Sequence, residues 1–261
     1  MPRTIVVTSG KGGVGKTTVA ANLGIALAKQ KQNVILIDLD VGLNNLDLAL
    51  SMETHILFDL SDCLSGKCRL GQAIVSHPKC PNLFILGCNN SETKLLIENN
   101  IERVIEKLKA HFDFIIIDSP AGMDSGFVCA TTCAEEALVV VTPHLASLRD
   151  SDKVLEFLHS KNSTQIGLVV NRVRGDLVAG GNMLSPAQIE KALKEPIKGI
   201  IPESDLLCVF SNYLKSTQSD EAKAFGVLAK NIMCDSFTKF DCTQKYRGVL
   251  GLLRRTIRSK A

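Results

Sequence analysis

Gly10, Lys11, Gly12, Gly13, Val14, Gly15, Lys16 and Thr17 form a G-x-x-x-x-G-K-T run that carries two lysines. A run of this spacing is built for phosphate. Successive backbone N–H groups make an anion cradle at the start of a helix, and glycine lets the backbone approach the oxygens. Lys16 is placed to reach the β- and γ-phosphates of a nucleotide and the Thr17 hydroxyl to hold Mg²⁺, with Thr18 closing the cradle. Lys11 stands too early in the run to duplicate Lys16 within its own subunit, which points to a role across a dimer interface.

Two apolar runs end in carboxylates. Val34 to Ile37 leads into Asp38 and Asp40, and Phe114 to Ile117 leads into Asp118. A carboxylate at the C-terminal end of a buried strand beside a phosphate loop can hold Mg²⁺ through its water shell. Asp38 and Asp118 are therefore candidate metal residues, Asp118 in the manner of a Walker B aspartate. A single strand-end aspartate more often caps a helix or forms a turn, but two beside such a loop favour the metal. Asp40 is the candidate for orienting an attacking water, with help from Asn45. The turns at Val41 to Asp47 and at Ser119-Pro120-Ala121-Gly122 suit switch segments that respond to a γ-phosphate. No Ser/His/Asp triad or Cys/His pair is evident. The chemistry expected is phosphoryl transfer to water by positioning and charge stabilisation.

These residues need a scaffold that brings several strand ends together. Short β-branched runs at Thr4–Thr8, Val34–Asp38, Leu83–Leu86, Phe114–Asp118, Ala137–Thr142, Ile166–Asn171 and Lys198–Ile201 predict strands buried on both faces. Helices are predicted at Lys16–Gln30, Ile101–His111, Leu148–Lys161, Ser185–Lys194 and Asp220–Ser236. This alternation implies an α/β fold, a doubly wound and mostly parallel sheet with helices on both faces, which binds ligands beyond the carboxyl ends of its strands. Arg174 to Asn182 reads as a surface excursion, and Phe237 to Gln244 as a short polar linker. The organisation expected is an ATPase domain over 1–236, the linker over 237–244 and a C-terminal helix over 245–261.

Composition limits the class further. With 261 residues, 45% hydrophobic and 22% charged, the chain has globular values, and no run nears the ~18 apolar residues of a spanning helix. A strand begins almost at the N-terminus, leaving no space for a signal peptide, so a soluble, cytoplasmic protein is expected. Nine cysteines form no C-x-x-C pair. Cys129 and Cys133 share a helical face, but small apolar fillers in a reducing compartment are the expected role. The five histidines show no ligand spacing.

Net charge is +3, yet six of the 30 basic residues lie from Lys245 onward with no acid, leaving 24 against 27 acids elsewhere. Wound at about 100° per residue, the tail gathers Tyr246, Val249, Leu250, Leu252, Leu253 and Ile257 on one side and Arg247, Arg254, Arg255 and Arg258 on the other. That pattern predicts an interfacial helix attracted to anionic lipid, and its clean apolar face favours lipid over nucleic acid.

The Lys11-containing loop, Asp38-x-Asp40, Asp118 to Gly122, Ser147 to Asp152, Asn171-Arg172, Asn182 to Ser185 and Ile200 to Glu203 together resemble the deviant Walker A ATPases, the MinD/ParA family. The likeness spans nearly the whole chain. It implies a Mg²⁺-dependent ATPase that sandwiches ATP in a homodimer, with Lys11 crossing to the partner's phosphates as an arginine finger does elsewhere. It also implies that Asn171 contacts adenine, that Arg172, Pro202 and Glu203 border the base pocket, and that Arg149 to Asp152 lie near a surface used by partners. The tail matches the family's membrane-targeting segment. The expected function is placement of the division septum from the inner face of the cell membrane, with a MinC-like inhibitor and a MinE-like activator as partners. DNA partitioning, flagellar-number control and an iron–sulfur carrier role are the alternatives within the superfamily. Asn44, where the family usually has Arg, and Tyr213 to Thr217, where it has a Gly-Glu-Pro loop, depart from the pattern.

Overall fold

A computed structural model describes residues 1–40, 45–88, 94–161, 165–204, 218–248 and 250–251. Its strands are β1 Arg3–Thr8, β2 Val34–Asp38, β3 Val75–His77, β4 Cys80–Leu86, β5 Phe114–Asp118, β6 Glu136–Val141, β7 Gln165–Val173 and β8 Ile197–Pro202. They form one sheet in the order β3-β4-β2-β5-β1-β6-β7-β8. Every pairing is parallel except β3 with β4. The helices are α1 Lys16–Lys29, α2 Asn45–Leu50, α3 Leu60–Leu64, α4 Leu70–Ala73, α5 Lys94–Lys109, α6 Ser125–Thr132, α7 Leu145–Ser160, α8 Gly175–Ala179, α9 Pro186–Leu193 and α10 Asp220–Cys234. A 3-10 turn follows at Gln244–Tyr246.

The expected doubly wound sheet is present, and its strands are apolar on both faces because both faces are covered. Ile5, Val7, Leu36, Ile116 and Val140 pack into one layer with α1 and α10. Val6, Ile35, Ile37, Ile115 and Val139 pack into the other with α5, α6 and α7. α1 is buried along most of its length and lies so close to β2 that a Cβ on Gly24 would come within 2.9 Å of Leu36. β1 lies between β5 and β6, so the chain departs to opposite sides of it and leaves a crevice beyond its carboxyl end. The two-lysine loop occupies that position.

Several expectations need correction. α2, α3, α4, α6 and α8 are four to eight residues long, too short to display a helical period, and β3 is a three-residue edge strand. Arg174 to Asn182 is no simple surface excursion, because it contains α8 with Gly175 and Asp176 buried. Phe237 to Gln244 is not a free polar linker. Phe240 packs against both cores and Cys242 is buried. Fully buried Asn231 of α10 clamps the segment. Its Nδ2 donates to the Lys198 carbonyl at 2.8 Å and the Thr238 carbonyl at 2.7 Å, and its Oδ1 accepts from Ser236 Oγ at 2.7 Å and Thr238 N–H at 3.0 Å.

Tyr246, expected on the lipid-facing side of the tail, is only 5% exposed and belongs to the folded body. A phenol ring with an apolar face satisfies a core contact as readily as a membrane one, and α8 offers that contact. Leu250 is 73% exposed. Val249, Leu252, Leu253, Arg254, Arg255, Ile257 and Arg258 lie outside the described residues, as do Asn44 and Tyr213 to Thr217. Cys129 and Cys133 pack against the core as fillers and hydrogen-bond each other, a bond that with burial raises the Cys133 thiol. Among the described residues no three metal-binding side chains gather.

Candidate nucleotide site

The loop after β1 is held from within the protein on two sides. Gly13 and Gly15 take left-handed φ values of 77° and 95° that other residues adopt at a cost. Asn171, buried at the end of β7, donates from Nδ2 to the Val14 carbonyl at 2.8 Å. A Cβ on Gly15 would stand 2.5 Å from that same nitrogen. Gly10 lies against the backbone of α7, where a Cβ would be 2.1 Å from the Asp150 carbonyl oxygen. Close contact with the protein's own atoms, the α7 backbone at Gly10 and the Asn171 side chain at Gly15, therefore requires these two glycines as firmly as phosphate approach does. Ser9 Oγ donates to the Lys11 carbonyl at 2.8 Å and helps shape the turn.

The two lysines meet opposite environments. Lys16, the first residue of α1, is 7% exposed; burial lowers its pKa, opposed by the carboxylates of Asp118 and Asp40. Lys11 is exposed at the rim, next to exposed Gly12 and Gly13. Thr17 and Thr18 are half-buried behind the loop.

Asp38 and Asp118 stand directly opposite each other on paired strands β2 and β5, and each is almost fully buried. Their surroundings differ. Asp38 Oδ1 accepts the Asp40 N–H at 2.9 Å and its Oδ2 accepts the Leu46 N–H at 3.2 Å. Both oxygens thus anchor the chain on either side of Val41 to Asn44. Burial raises the Asp38 carboxyl to about 7 despite those two donors. Burial and Asp38 raise Asp118 well above the carboxylate range, opposed by Thr17 and Lys16. The Thr17 hydroxyl is near enough to favour the ionised form, yet neither Asp118 oxygen has a hydrogen-bond partner of ordinary length among the described residues. A buried carboxylate without donors beside a threonine hydroxyl and a lysine fits a divalent cation. Thr17 and Asp118 fit Mg²⁺ most directly, while Asp38, also expected at the metal, accepts one backbone N–H on each oxygen and so braces the chain on either side of 41–44. Half-buried Asp40 is raised by burial and lowered by Lys16, and exposed Asn45 opens α2 nearby.

Beside the loop lies a cleft of about 560 Å³ lined by Lys11, Gly12, Gly13, Val14, Arg172 and Glu203, together with other residues that the sequence reading missed. Among those are Arg174, Leu177 and Met183. Met183 lies within the Asn182 to Ser185 stretch already singled out, but nothing in the spacing of Arg174 marks it. Arg172 adopts φ 58° and is exposed to the cleft, and Glu203 is held by its N–H to the Val173 carbonyl at 3.1 Å. Pro202 ends β8 at the same edge. The structure thus brings Lys16, Asp40 and Asp118 together at the start of α1 and sets Lys11, Arg172 and Glu203 around the cleft beside the same loop. Asn171 sits under the loop with one N–H of its amide given to the Val14 carbonyl, which leaves its second N–H and Oδ1 for any contact with adenine.

Comparison with known proteins shows the family and the fold. A family profile described as the CobQ/CobB/MinD/ParA nucleotide binding domain matches residues 5–213. A putative septum site-determining protein MinD of Emiliania huxleyi is 41% identical over 99% of this chain and 98% of its own length. Among solved structures, the MinC:MinD cell division protein complex of Aquifex aeolicus superposes with a TM-score of 0.81 at 37% identity, covering 90% of this chain and 97% of that one. MinD of Pyrococcus horikoshii complexed with Mg-ADP gives 0.79 at 32% identity, covering 89% and 96%.

Proposed function

This chain belongs to the CobQ/CobB/MinD/ParA nucleotide-binding family and is a P-loop ATPase, and on that premise we propose that it is a dimerising, membrane-cycling ATPase that sets the position of the division septum. The observation that carries this reading is the split between its lysines. Lys16 is buried inside the cradle, and Lys11 is exposed at the rim, available to a second subunit's nucleotide.

In this reading the backbone N–H groups from Gly10 to Thr18 hold the phosphates of ATP, and Lys16 neutralises charge on the β- and γ-phosphates. Thr17 and Asp118 hold Mg²⁺, which supplies charge neutralisation on the transferring group. Asp40, with Asn45, orients the attacking water, and its raised pKa suits it to accept a proton. Lys11 reaches the nucleotide of the partner subunit and stabilises charge there. Arg172, Pro202 and Glu203 border the base, and Asn171 fixes the loop from behind.

The tail converts dimerisation into membrane attachment. A single short amphipathic helix binds lipid marginally, and two held together gain by effective concentration. ATP then places the protein on the inner face of the cell membrane, and hydrolysis returns it to the cytoplasm. A MinC-like inhibitor and a MinE-like activator are the fitting partners; the likeness to the Aquifex complex supports the first. Exposed Leu250 supports lipid contact. Co-sedimentation with vesicles rich in anionic phospholipid tests the reading: MgATP should raise the bound fraction well above MgADP. Equal binding in the two nucleotides, or binding to duplex DNA instead, would overturn it.

A further inference from the structure

α8 is five residues long, yet it stands between the nucleotide cleft and the root of the tail. Its N-cap Arg174 and its Leu177 line the cleft. Val178 and Ala179, toward its other end, line a separate cavity of about 600 Å³ together with Phe240, Cys242 and Tyr246. Contact on the tail side is direct. A Cβ on Gly175 would lie 2.0 Å from the Cys242 carbonyl oxygen and 3.2 Å from the Tyr246 ring, so glycine alone allows this approach. The cap of α8 is stiffened by Arg174, whose guanidinium donates to buried Asp176 at 3.0 and 2.6 Å and whose N–H donates to Met183 Sδ at 3.4 Å. Three residues before Arg174, Asn171 grips the phosphate loop through the Val14 carbonyl.

The run from 171 to 176 is therefore fastened to the phosphate loop at one end and to the tail root at the other. On either side of Tyr246 the root of the tail is held by ion pairs. Lys245 pairs with Asp220 of α10 at 2.7 Å and Arg247 with Asp241 of the same turn at 3.1 Å, so two of the six basic residues are met by carboxylates. We propose that α8 is an intrachain lever through which nucleotide in the cleft repositions the turn bearing Cys242 and Tyr246, and so the departure of the tail, without need of dimerisation. Gly175 and the Arg174–Asp176 pair act as positioning residues in this lever. The proposal rests on the nucleotide-binding reading above.

Cys242 reports on the turn, because its thiol is buried and held up at about 11 by that burial. The test alkylates the full-length chain with iodoacetamide and follows each cysteine by peptide mass, without nucleotide and with MgADP or MgATP. Nucleotide should change the Cys242 rate at least about five-fold, the lower end of ordinary allosteric coupling. Cys63, on α3, should not respond. The same change should persist when the unaltered chain is diluted until size-exclusion chromatography in MgATP shows only monomer. In Gly175→Ala the added methyl group should push the turn off α8, so that Cys242 reacts quickly whether or not nucleotide is bound, while a fluorescent ATP analogue still binds. Asp176→Asn, which loosens the Arg174 fork, should shift the response in the same direction if the first variant does not fold. A Cys242 rate indifferent to nucleotide in a chain that binds it would overturn the lever, as would a response that vanishes in the diluted, monomeric, nucleotide-bound chain. Absence of nucleotide binding in the unaltered chain would overturn the ATPase reading itself, and the lever with it.

Discussion

At the scale of residues, the site works by giving like groups unlike surroundings. Lys16 and Lys11 are five positions apart in one loop, but only Lys16 is enclosed. Lys11→Ala should leave nucleotide binding near normal, abolish nucleotide-dependent dimerisation and lower hydrolysis by about 10³-fold, the scale of losing an arginine finger. Size-exclusion chromatography with MgATP and phosphate release check this; a dimerising, fully active variant would remove Lys11 from the mechanism. Asp38 and Asp118 divide in the same way, one bound by backbone donors and one bare. Asp38 is raised to about 7, against an unfolded value of ~3.9. Between those values the folded chain retains a proton that the unfolded chain releases. Stability of the nucleotide-free protein is therefore greatest below about pH 4 as far as this group is concerned, and is lost as pH rises through 7. Thermal melting from pH 5 to 8 should show a falling Tm, flattened in Asp38→Asn. A rising Tm would mean that both carboxylates are ionised and paired with Lys16.

At the scale of elements, long apolar strands and α1, α7 and α10 were legible because their periods repeat several times. α6 and α8 are too short for a period, and each is set by a local device: the Asp124 side chain accepting the Phe127 N–H at the start of α6, and the Arg174–Asp176 fork at the start of α8. Asn231 shows the limit more sharply. A polar residue in the middle of a helix usually faces water, yet this one is fully buried and binds β8 and the chain beyond α10 at once. Asn231→Ala should destabilise the protein by roughly 2–3 kcal/mol, because two carbonyls and a backbone N–H lose their partner. Urea denaturation would measure it, and a change under 0.5 kcal/mol, the range of an ordinary surface substitution, would mean that water replaces the side chain.

At the scale of the whole molecule, the nucleotide cleft and the root of the tail proposed to bind lipid sit at separate places joined through β7 and α8. Removing 248–261 should leave nucleotide binding and the melting temperature close to those of the full chain, since the body keeps Tyr246, but it should eliminate sedimentation with anionic vesicles. A truncated chain that still sediments would put the lipid contact elsewhere. The loop motif, the strand-end aspartates and the charge imbalance of the tail were all readable in one dimension, because each depends on neighbouring residues or on a short period. Which aspartate lacks backbone donors, why Gly10 and Gly15 cannot carry a side chain, and where the body ends and the tail begins depend on residues 80 positions apart in the first case, 140 or more in the second and 67 in the last. Those questions are decided by burial and by backbone contacts between strand ends. Only the folded sheet brings Asp38 against Asp118, Asn171 under Val14, and Gly175 against Cys242.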